Sequence, residues 1–543
     1  MKRKVAGASP VAHPNHTATL IDSAGPSGYH GRSMESTRTP VGGRLAKDMA
    51  ILATATVVLL GLVLAFAYDS SSLHVTALRN ALNDQILYIT AARRWVDTGS
   101  LDCLVVYPAT LWQTTTRNYI WVPGFGVVLA LTFRVFGYGV VQAILPSLVS
   151  TVVATAAVFA TGSRLLDRRA AAWACAVFLT FPATVVFSYV AMREMPVVAA
   201  IACALAAFVH LPERLRAPAV PLLLVPAFLL REDTALLVLP LVALLLGGEK
   251  LDRRSVLRAA AALVASVLLL SLMLASPLCS GRPSTFRACM FGDFRTIYMD
   301  ATAQEALHPG LGDVGHAVAR KLSSNARALV SILHGDHGLF GGYCSVALLL
   351  SGPATLLAAV RGRFDREKTA FLLGSVALET VLALMLVAAY VAAGMEGTRH
   401  LLIYLPLTAL VVGALIARSG AWPRRAALAA LLLQLALGLA TVHAELGSRR
   451  PSEVDTLVHD DTTVLAASYE IGAPYLESHY PARWSLVPAN KATFRLLDDR
   501  YRVGTVIITR ADGLGARDLD ELGFTFSSTM VVNSHTFSIF RRR

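Results

Sequence analysis

The sequence predicts a polytopic α-helical membrane protein, and three observations support this fold class. Of the 543 residues, 55% are hydrophobic and 16% are charged. This hydrophobic fraction exceeds what the core of a soluble protein requires. Apolar runs of about 20 residues, the length of a membrane-spanning helix, recur along the chain. Arginines cluster in the short polar segments between these runs. We therefore expect about 11–13 spans, a long first outer loop that carries interfacial helices, and a small C-terminal α/β domain.

The apolar runs place the expected spans along the chain. These are 50–68, 120–136, 139–161, 171–191, 195–211, 218–247, 259–276, 339–360, 370–393, 401–417 and 427–443. The run 218–247 contains Arg231, Glu232 and Asp233, and charges at membrane depth are costly unless they face protein or a watery cavity. We expect a break or a water-filled cavity there, with two short half-helices on either side.

The distribution of charge predicts topology rather than a polyanion-binding role, although the formal net charge is +13. By the positive-inside rule, the loops that carry clustered arginines are cytoplasmic. Their basic residues are Arg164, Arg168, Arg169, Arg214, Arg216, Lys250, Arg253, Arg254, Arg258, Arg361, Arg363, Arg366, Lys368, Arg418, Arg424 and Arg425. The long loops 69–119 and 277–338 and the tail from His443 are then outside. Two full spans between 119 and 164 would put the arginines at 164–169 outside, so either one of those runs is re-entrant or the rule fails there.

The two ends of the chain differ in character from the apolar middle. Residues 1–46 are rich in Gly, Pro, Ser, Thr and His and are expected to be a disordered cytoplasmic tail. Residues 47–446 form the expected transmembrane domain. Residues 447–543 alternate strand-like segments such as "GTVIIT" with helical segments such as "ATFRLLDDRY", which predicts a soluble extracytoplasmic α/β domain.

Several kinds of site have no support in the sequence. It contains no CxxC pair, HExxH motif or GxxxxGK[ST] motif, which argues against a structural zinc site, a zincin and ATP hydrolysis on this chain. Cys279 and Cys289 share the second outer loop and could either form a disulfide or stay as two free thiols.

A short polar stretch follows the first span, "NDQILYITAARRWVDTG" at 83–99. At helical spacing, Asp84, Tyr88 and Trp95 share one face. One interpretation is that Asn83 or Asp84 only caps this helix while its rings lie in the membrane interface. The other is that Asp84 is an outward-facing carboxylate that takes a proton from an incoming hydroxyl.

The order of motifs resembles the GT-C superfamily of polyprenyl-phosphate-sugar-dependent glycosyltransferases, such as mannosyltransferases and aminoarabinose transferases. The matching pieces are short, and together they extend over most of residues 50–543. They are "NDQILYITAARRWVDTG", "NYIWVPGFGVVLALTFRVFG", "AMREMPVVAA", "LLREDTALLVLP" and "GTRHLLIYLPL". Two of them depart from the family pattern. Asp84 is flanked by Asn83 and Gln85 where many members have a second acid, and Met195 separates Glu194 from its proline.

The resemblance implies an enzyme of the cell membrane, with its active site and C-terminal domain extracytoplasmic. It would transfer a hexose or pentose, with inversion, from a polyprenyl-phosphate donor to a hydroxyl of a lipid, glycan or protein. The implied partners are donor, acceptor and membrane lipids, with no nucleic acid. No cofactor is certain, and a divalent metal ion is the one candidate.

The resemblance also assigns roles to individual residues. Asp84 is the candidate catalytic base, and Tyr88 is a candidate substrate contact. Arg231 and Arg399, the latter next to His400, are candidates for binding the donor phosphate, because guanidinium pairs bidentately with phosphate. Glu194 would orient the acceptor or a divalent ion.

Each assignment has a structural alternative. Arg231 could simply pair with Glu232 or Asp233, Arg399 could be an interfacial anchor, and Glu194 could be an acid in the first turn of a helix. A transporter or lipid flippase is the rival function, with the charged break at 231–233 as its substrate pathway. A transporter of that kind predicts internal repeats, which the two halves of the sequence do not show.

Overall fold

The computed structural model describes about half of the chain in detail. The described ranges are 84–99, 105–106, 124–247, 253–275, 371–376, 404–446, 463–466, 483–487, 491–509, 514–532 and 535–543, with Leu402 and single positions between 52 and 61. The predicted spans at 339–360 and most of 370–393 lie outside these residues, as do Cys279 and Cys289.

The described helices follow the predicted apolar runs closely. They are α1 (Asp84–Thr98), α2 (Gly124–Phe136), α3 (Val140–Leu165), α4 (Arg168–Thr180), α5 (Pro182–Phe187), α6 (Glu194–His210), α7 (Glu213–Leu230), α8 (Val238–Gly247), α9 (Arg253–Ala275), α10 (Leu405–Arg418) and α11 (Ala421–Leu446). Among described residues, three segments are long and apolar enough to cross a membrane: Val141–Leu165, Arg253–Met273 and Ala421–Ala440. The total of 11–13 spans stays a prediction for the whole chain.

The basic loops lie together at one end of the helix bundle, which we call the basic end. Arg418, the last residue of α10, donates a hydrogen bond to Asp167, which precedes α4, at 3.3 Å. Near the end of α6, His210 Nε2 lies 3.4 Å from the carbonyl oxygen of Ala160 in the last turns of α3. The arginine clusters around 164–169, 210–216 and 418–425 therefore share one face, as the positive-inside rule predicts for cytoplasmic loops.

Helices α7 and α9 also begin at the basic end. Glu213, the first residue of α7, pairs with Arg258 in the second turn of α9, with Oε1 and Nη1 3.8 Å apart. Because the two helices start side by side, the chain between them must return to the basic end. The predicted run 218–247 accordingly contains most of α7, a 3₁₀ segment at Glu232–Leu237 and the ten-residue α8. The predicted interruption of this run is present.

Helix α2 does not cross the bundle. Its first residue, Gly124, packs on the carbonyl group of Leu229 near the end of α7. Close to its other end, Phe133 joins a core cluster with Ala143 in the first turn of α3. Both ends of this 13-residue helix, about 20 Å long, therefore lie at the end opposite the basic loops. The expected span at 120–136 is corrected to a non-crossing helix, which leaves the arginines at 164–169 at the basic end.

The expected span 171–191 is also broken. Helix α4 ends at Thr180, and Pro182 starts the short α5, since proline fits the first turn of a helix. Beyond α5, residues 188–193 are irregular and buried. Irregular backbone at membrane depth is tolerated where protein satisfies its polar groups.

The tail contains the predicted strands and helices and forms one mixed sheet. Its elements are β2 (Thr463–Ala466), β3 (Trp484–Leu486), α12 (Lys491–Tyr501), β4 (Val503–Ile508), α13 (Ala516–Glu521), β5 (Phe524–Val532) and β6 (His535–Arg542). With β1 (Val105–Val106), the strand order is β1-β3-β2-β4-β6-β5, with parallel pairing from β1 to β4 and antiparallel pairing of β6 with β4 and β5. Phe494 of α12 and Leu519 of α13 pack on the sheet with Val506 and Phe524.

One strand of this sheet comes from the first loop of the chain. Strand β1 (Val105–Val106) pairs in parallel with β3, with Val105 opposite Trp484 and Val106 opposite Ser485. Main-chain hydrogen bonds between strands require the two segments to lie on the same side of the membrane. The loop 69–119 and the C-terminal tail therefore share a side, as the charge distribution predicts.

Candidate active site

Three helix ends meet at the end of the bundle opposite the basic loops. Glu194 is the first residue of α6, Arg231 directly follows α7, and Tyr404 directly precedes α10. All three side chains are buried, each only 2% exposed. The two breaks in the predicted spans, at 188–193 and 231–237, thus supply the backbone that brings charged groups together. We call Glu194, Arg231, Asp233 and Tyr404 the buried polar cluster.

Polar side chains of neighbouring helices hold the irregular segment before Glu194. Ser147 of α3 donates hydrogen bonds to the carbonyl oxygens of Val190 at 2.6 Å and Met192 at 3.3 Å. The hydroxyls of Thr151 and Ser188 lie 2.8 Å apart. These bonds replace helical ones in a place that water does not reach, so they fix the position at which α6 and Glu194 begin.

Arg231 has a defined orientation. Its Nε donates to Asp233 Oδ1 at 2.9 Å and Oδ2 at 3.0 Å, and its Nη2 donates to Oδ2 at 2.8 Å. On the other side of the guanidinium, Nη1 lies 4.0 Å from Glu194 Oε1. The alternative that Arg231 forms an ion pair with Asp233 is therefore realised. Because the Asp233 carboxylate binds Nε and Nη2 along one edge of the guanidinium, Nη1 is directed towards α6.

Two oxygens in the cluster have hydrogen-bonding capacity that the described residues do not use. Glu194 Oε2 and the Tyr404 hydroxyl are buried, and neither makes a hydrogen bond to any residue that the structure describes. The Tyr404 hydroxyl also interacts electrostatically with Asp233 and Arg231. Buried polar groups are normally hydrogen-bonded. This cluster therefore has the polar capacity to receive a ligand group or a side chain from outside the described ranges.

Acidic groups outnumber basic ones around the cluster. Among the residues that the structure describes, the buried or partly buried charges at the two breaks are those of Arg193, Glu194, Arg231, Glu232 and Asp233, two cationic against three acidic. A phosphate bound there would need a further cation. Arg399 and His400, the predicted candidates, lie outside the described residues, a few positions before Tyr404.

Sequence reasoning did not single out Tyr404. It stands two residues before Pro406 in "GTRHLLIYLPL", the same stretch that supplied Arg399 and His400. An aromatic residue at the start of an apolar run is ordinary at a membrane interface, so the pattern alone did not distinguish it. Its value as a site residue comes from its position against Arg231.

The helix that carries Asp84 lies beside both breaks. Asp84 is the first residue of α1; the structure describes its backbone but not its side-chain contacts, and Asn83 lies outside the described ranges. Tyr88, one turn further, shares a core cluster with Ala191 and Leu230, the near neighbours of Glu194 and Arg231. Because residues four apart lie on one face of a helix, Asp84 starts the face that packs towards the buried polar cluster.

Tyr88 itself is a packing residue in this structure. Its ring is 1% exposed and meets the ring of Phe125 edge to face, with centroids 4.9 Å apart. The substrate contact predicted for Tyr88 would require this ring to be uncovered.

Metal ligands do not assemble in the part of the chain that the structure describes. Within those residues, no three His, Cys, Asp or Glu side chains come close enough to bind one ion. The carboxylates of Glu194 and Asp233 face Arg231 instead.

Comparison with known proteins supports the fold. Residues 122–280, which include α2 to α9, match the family described as dolichyl-phosphate-mannose-protein mannosyltransferase. No curated protein sequence matches the chain significantly.

Solved structures give the wider comparison. The Archaeoglobus fulgidus oligosaccharyltransferase in complex with Zn and sulfate is similar with a TM-score of 0.50 and 15% identity, covering 89% of this chain and 72% of that chain. ArnT from Cupriavidus metallidurans, bound to undecaprenyl phosphate, has a TM-score of 0.41 and 14% identity, covering 90% of this chain and 98% of that chain. The similarity to the oligosaccharyltransferase confirms the predicted GT-C fold.

Proposed function

We propose that this chain, which has the fold of GT-C glycosyltransferases, transfers a sugar from a polyprenyl-phosphate donor to a hydroxyl acceptor. The observation that carries the proposal is the buried polar cluster, in which Arg231 lies between Asp233 and Glu194 at the end of two broken spans. Buried charge in a membrane is expensive and is kept where it acts on a substrate. The family matched by residues 122–280 takes its name from dolichyl-phosphate-mannose, a donor of this class.

The proposed reaction is a single displacement at the anomeric carbon. The acceptor oxygen forms the new glycosidic bond, and the bond between the anomeric carbon and the phosphate oxygen breaks, leaving its electron pair on the lipid phosphate. The acceptor proton passes to the Asp84 carboxylate. A base in this role contributes typically about 10²–10⁴ in rate.

We assign the donor phosphate to Arg231 together with Arg399. Asp233 occupies one edge of the Arg231 guanidinium, which fixes the plane of the group and turns Nη1 towards Glu194. The Tyr404 hydroxyl is a further donor for a phosphate oxygen. Because these groups are already oriented before the substrate binds, they can stabilise the negative charge that develops on the leaving phosphate with little reorganisation.

We assign Glu194 to the acceptor side. Its Oε1 faces Arg231, and its Oε2 makes no hydrogen bond to the described residues. A carboxylate oxygen at this position can accept a hydrogen bond from an acceptor hydroxyl and align its oxygen for attack. We expect His400 to contact the same substrate from the segment before α10.

The test is sugar transfer in proteoliposomes that contain a panel of labelled polyprenyl-phosphate sugars. Asp84→Asn should lower turnover by about 10²-fold or more with little change in donor binding. Asp97→Asn is the matched control, because Asp97 is exposed on the same helix. Equal turnover in the two variants would reduce Asp84 to a helix-capping residue.

Variants of the phosphate side should behave differently. Arg231→Lys keeps the charge but loses the planar fork, so we expect weaker donor binding and lower turnover together. Glu194→Gln should raise the apparent KM for the acceptor more than that for the donor. Transport of an intact lipid-linked sugar with no transfer to any acceptor would instead indicate the flippase alternative.

A further inference from the structure

A cavity of about 540 Å³ opens at the basic end, away from the buried polar cluster. It lies between the first turns of α7 and α9 and is lined by Pro212, Glu213, Arg214, Ala217 and Arg258. Its volume falls within the range of about 300–1,000 Å³ that is typical of ligand pockets. The donor and acceptor chemistry uses no residue of this cavity.

The mouth of the cavity is cationic. Arg214 and Arg258 line it, with Arg253 and Arg254 exposed in the first turn of α9. Glu213 is the one acidic residue among the described lining residues, and its 3.8 Å pair with Arg258 has both side chains more than half exposed. Such a pair is weak, because water competes for both groups. An anionic group that enters the cavity can therefore compete with Glu213 for the guanidinium.

Further along from the cavity, the same two helices carry exposed apolar side chains, on faces turned by about 80–120° from Arg214 and Arg258. On α9, Leu257, Val264 and Leu268 are each more than half exposed and follow one another along one face. On α7, Leu222 is 68% exposed. A ligand with a phosphate group at the arginines and an acyl chain along these residues would match both parts of the surface.

We propose that this cavity binds the phosphate headgroup of an anionic diacyl phospholipid in the membrane leaflet at the basic end. A soluble phosphate shares the headgroup chemistry, but the arginines stand at the start of α9, an apolar helix that is long enough to cross a membrane and mostly exposed along its length, which favours the lipid. Juxtamembrane arginines attract anionic headgroups, and basic pockets between spanning helices hold them. The site is separate from the proposed catalytic centre, so its test needs no transferase activity.

The experiment is native mass spectrometry of the intact chain released from nanodiscs with equal amounts of phosphatidylglycerol and phosphatidylcholine. We expect phosphatidylglycerol to be retained in preference. Arg214→Ala with Arg258→Ala should weaken that retention about 30-fold, since each arginine near the surface contributes about fivefold. The matched control is Arg169→Ala with Arg425→Ala, which removes the same charge from exposed residues of the basic end outside the cavity.

The outcomes separate the alternatives. Retention that is unchanged in the cavity variant, or lost equally in the control variant, overturns the proposal. Displacement of the bound lipid by millimolar inorganic phosphate would assign the cavity to a soluble anion and would also overturn it. Arg214→Lys with Arg258→Lys keeps both charges and should retain the lipid, which distinguishes loss of the site from loss of folding.

Discussion

The coupling energy between Arg231 and Asp233 should be larger than that of a matched ion pair at the other end of the bundle. The perturbation is a double-mutant cycle with Arg231→Met, Asp233→Asn and the combined variant. The reference cycle uses Arg418→Met, Asp167→Asn and their combination. Both pairs join an arginine to an aspartate, but the first arginine is 2% exposed, whereas the reference side chains are 44% and 41% exposed.

The expected magnitudes follow from burial and geometry. Three contacts of 2.8–3.0 Å join Arg231 to Asp233, and residues in contact couple by about 0.5–3 kcal/mol. The burial of Arg231 places its coupling energy in the upper part of that range, at about 2 kcal/mol given the 27% exposure of Asp233. The reference pair has one contact of 3.3 Å and should couple by about 0.2–1 kcal/mol. Asp167 also caps α4, but a coupling energy cancels that contribution.

Cys175 gives a direct readout of unfolding. Its thiol is 1% exposed in the core of the bundle, so a maleimide reaches it when the helices separate. Labelling is measured peptide by peptide during a titration of mixed micelles with denaturing detergent, and a short soluble peptide with one cysteine serves as the internal standard for reagent activity. Coupling energies that agree within about 0.5 kcal/mol between the two cycles would refute the claim that burial makes Arg231–Asp233 the stronger pair.

Three further predictions concern backbone packing, topology and pH. Gly124→Ala would place a Cβ 2.3 Å from the Leu229 carbonyl oxygen, so it should destabilise the protein by about 1–3 kcal/mol in the same titration, whereas Gly61→Ala, with no atom within 4 Å, should not. Cysteines at Val106 and Ser485 should form a disulfide, because paired strands have Cα atoms about 5 Å apart, and cysteines at Val106 and Phe526, on opposite edges of the sheet, should not. Hydrogen bonding to Lys491 lowers the pKa of Asp518, and bonding to Asp518 and Glu521 raises the pKa of Lys491. The stabilisation of the fold by the Asp518 carboxylate is fully present above its unfolded pKa of about 4 and is lost as pH falls through its lower folded pKa. The stabilisation by the Lys491 amine is fully present below its unfolded pKa of about 10.4 and is lost as pH rises through its higher folded pKa. Exchange at the Leu519 amide, corrected for intrinsic rate, should therefore accelerate on acidification below pH ~4 in the natural chain and less so in Lys491→Met, and an equal response in both would contradict this account.

Local sequence patterns predicted the helices and strands well because apolar periodicity and charge reflect local requirements. The break at 231–237 was predictable, since three consecutive charged residues cannot continue a membrane span without protein around them. The strands of the tail were predictable from β-branched runs such as 503–508. The GT-C resemblance rested on several short motifs, and the fold similarity confirms it.

Other features were hidden because they depend on contacts between distant segments. The 13-residue α2 is as apolar as a span, and its failure to cross follows only from the contact of Gly124 with Leu229 and from the core cluster that Phe133 shares with Ala143. Val105 and Val106 were not predicted as a strand, because the strand they pair with, β3, lies in a distant part of the chain. Residues 188–191 were predicted to continue the span 171–191, and the break there persists because Ser147 and Thr151 bond to it.

By itself, the sequence determined that this protein is a helical membrane protein with arginines gathered at one face and a small α/β tail, because hydrophobic runs and charge act locally through solvent and lipid. Only the tertiary structure decided that Glu194, Arg231 and Tyr404, separated by up to 210 residues in numbering, meet in one buried cluster. The reason is physical: a buried charge is stable only where several elements supply partners together, and no single segment of sequence contains that requirement.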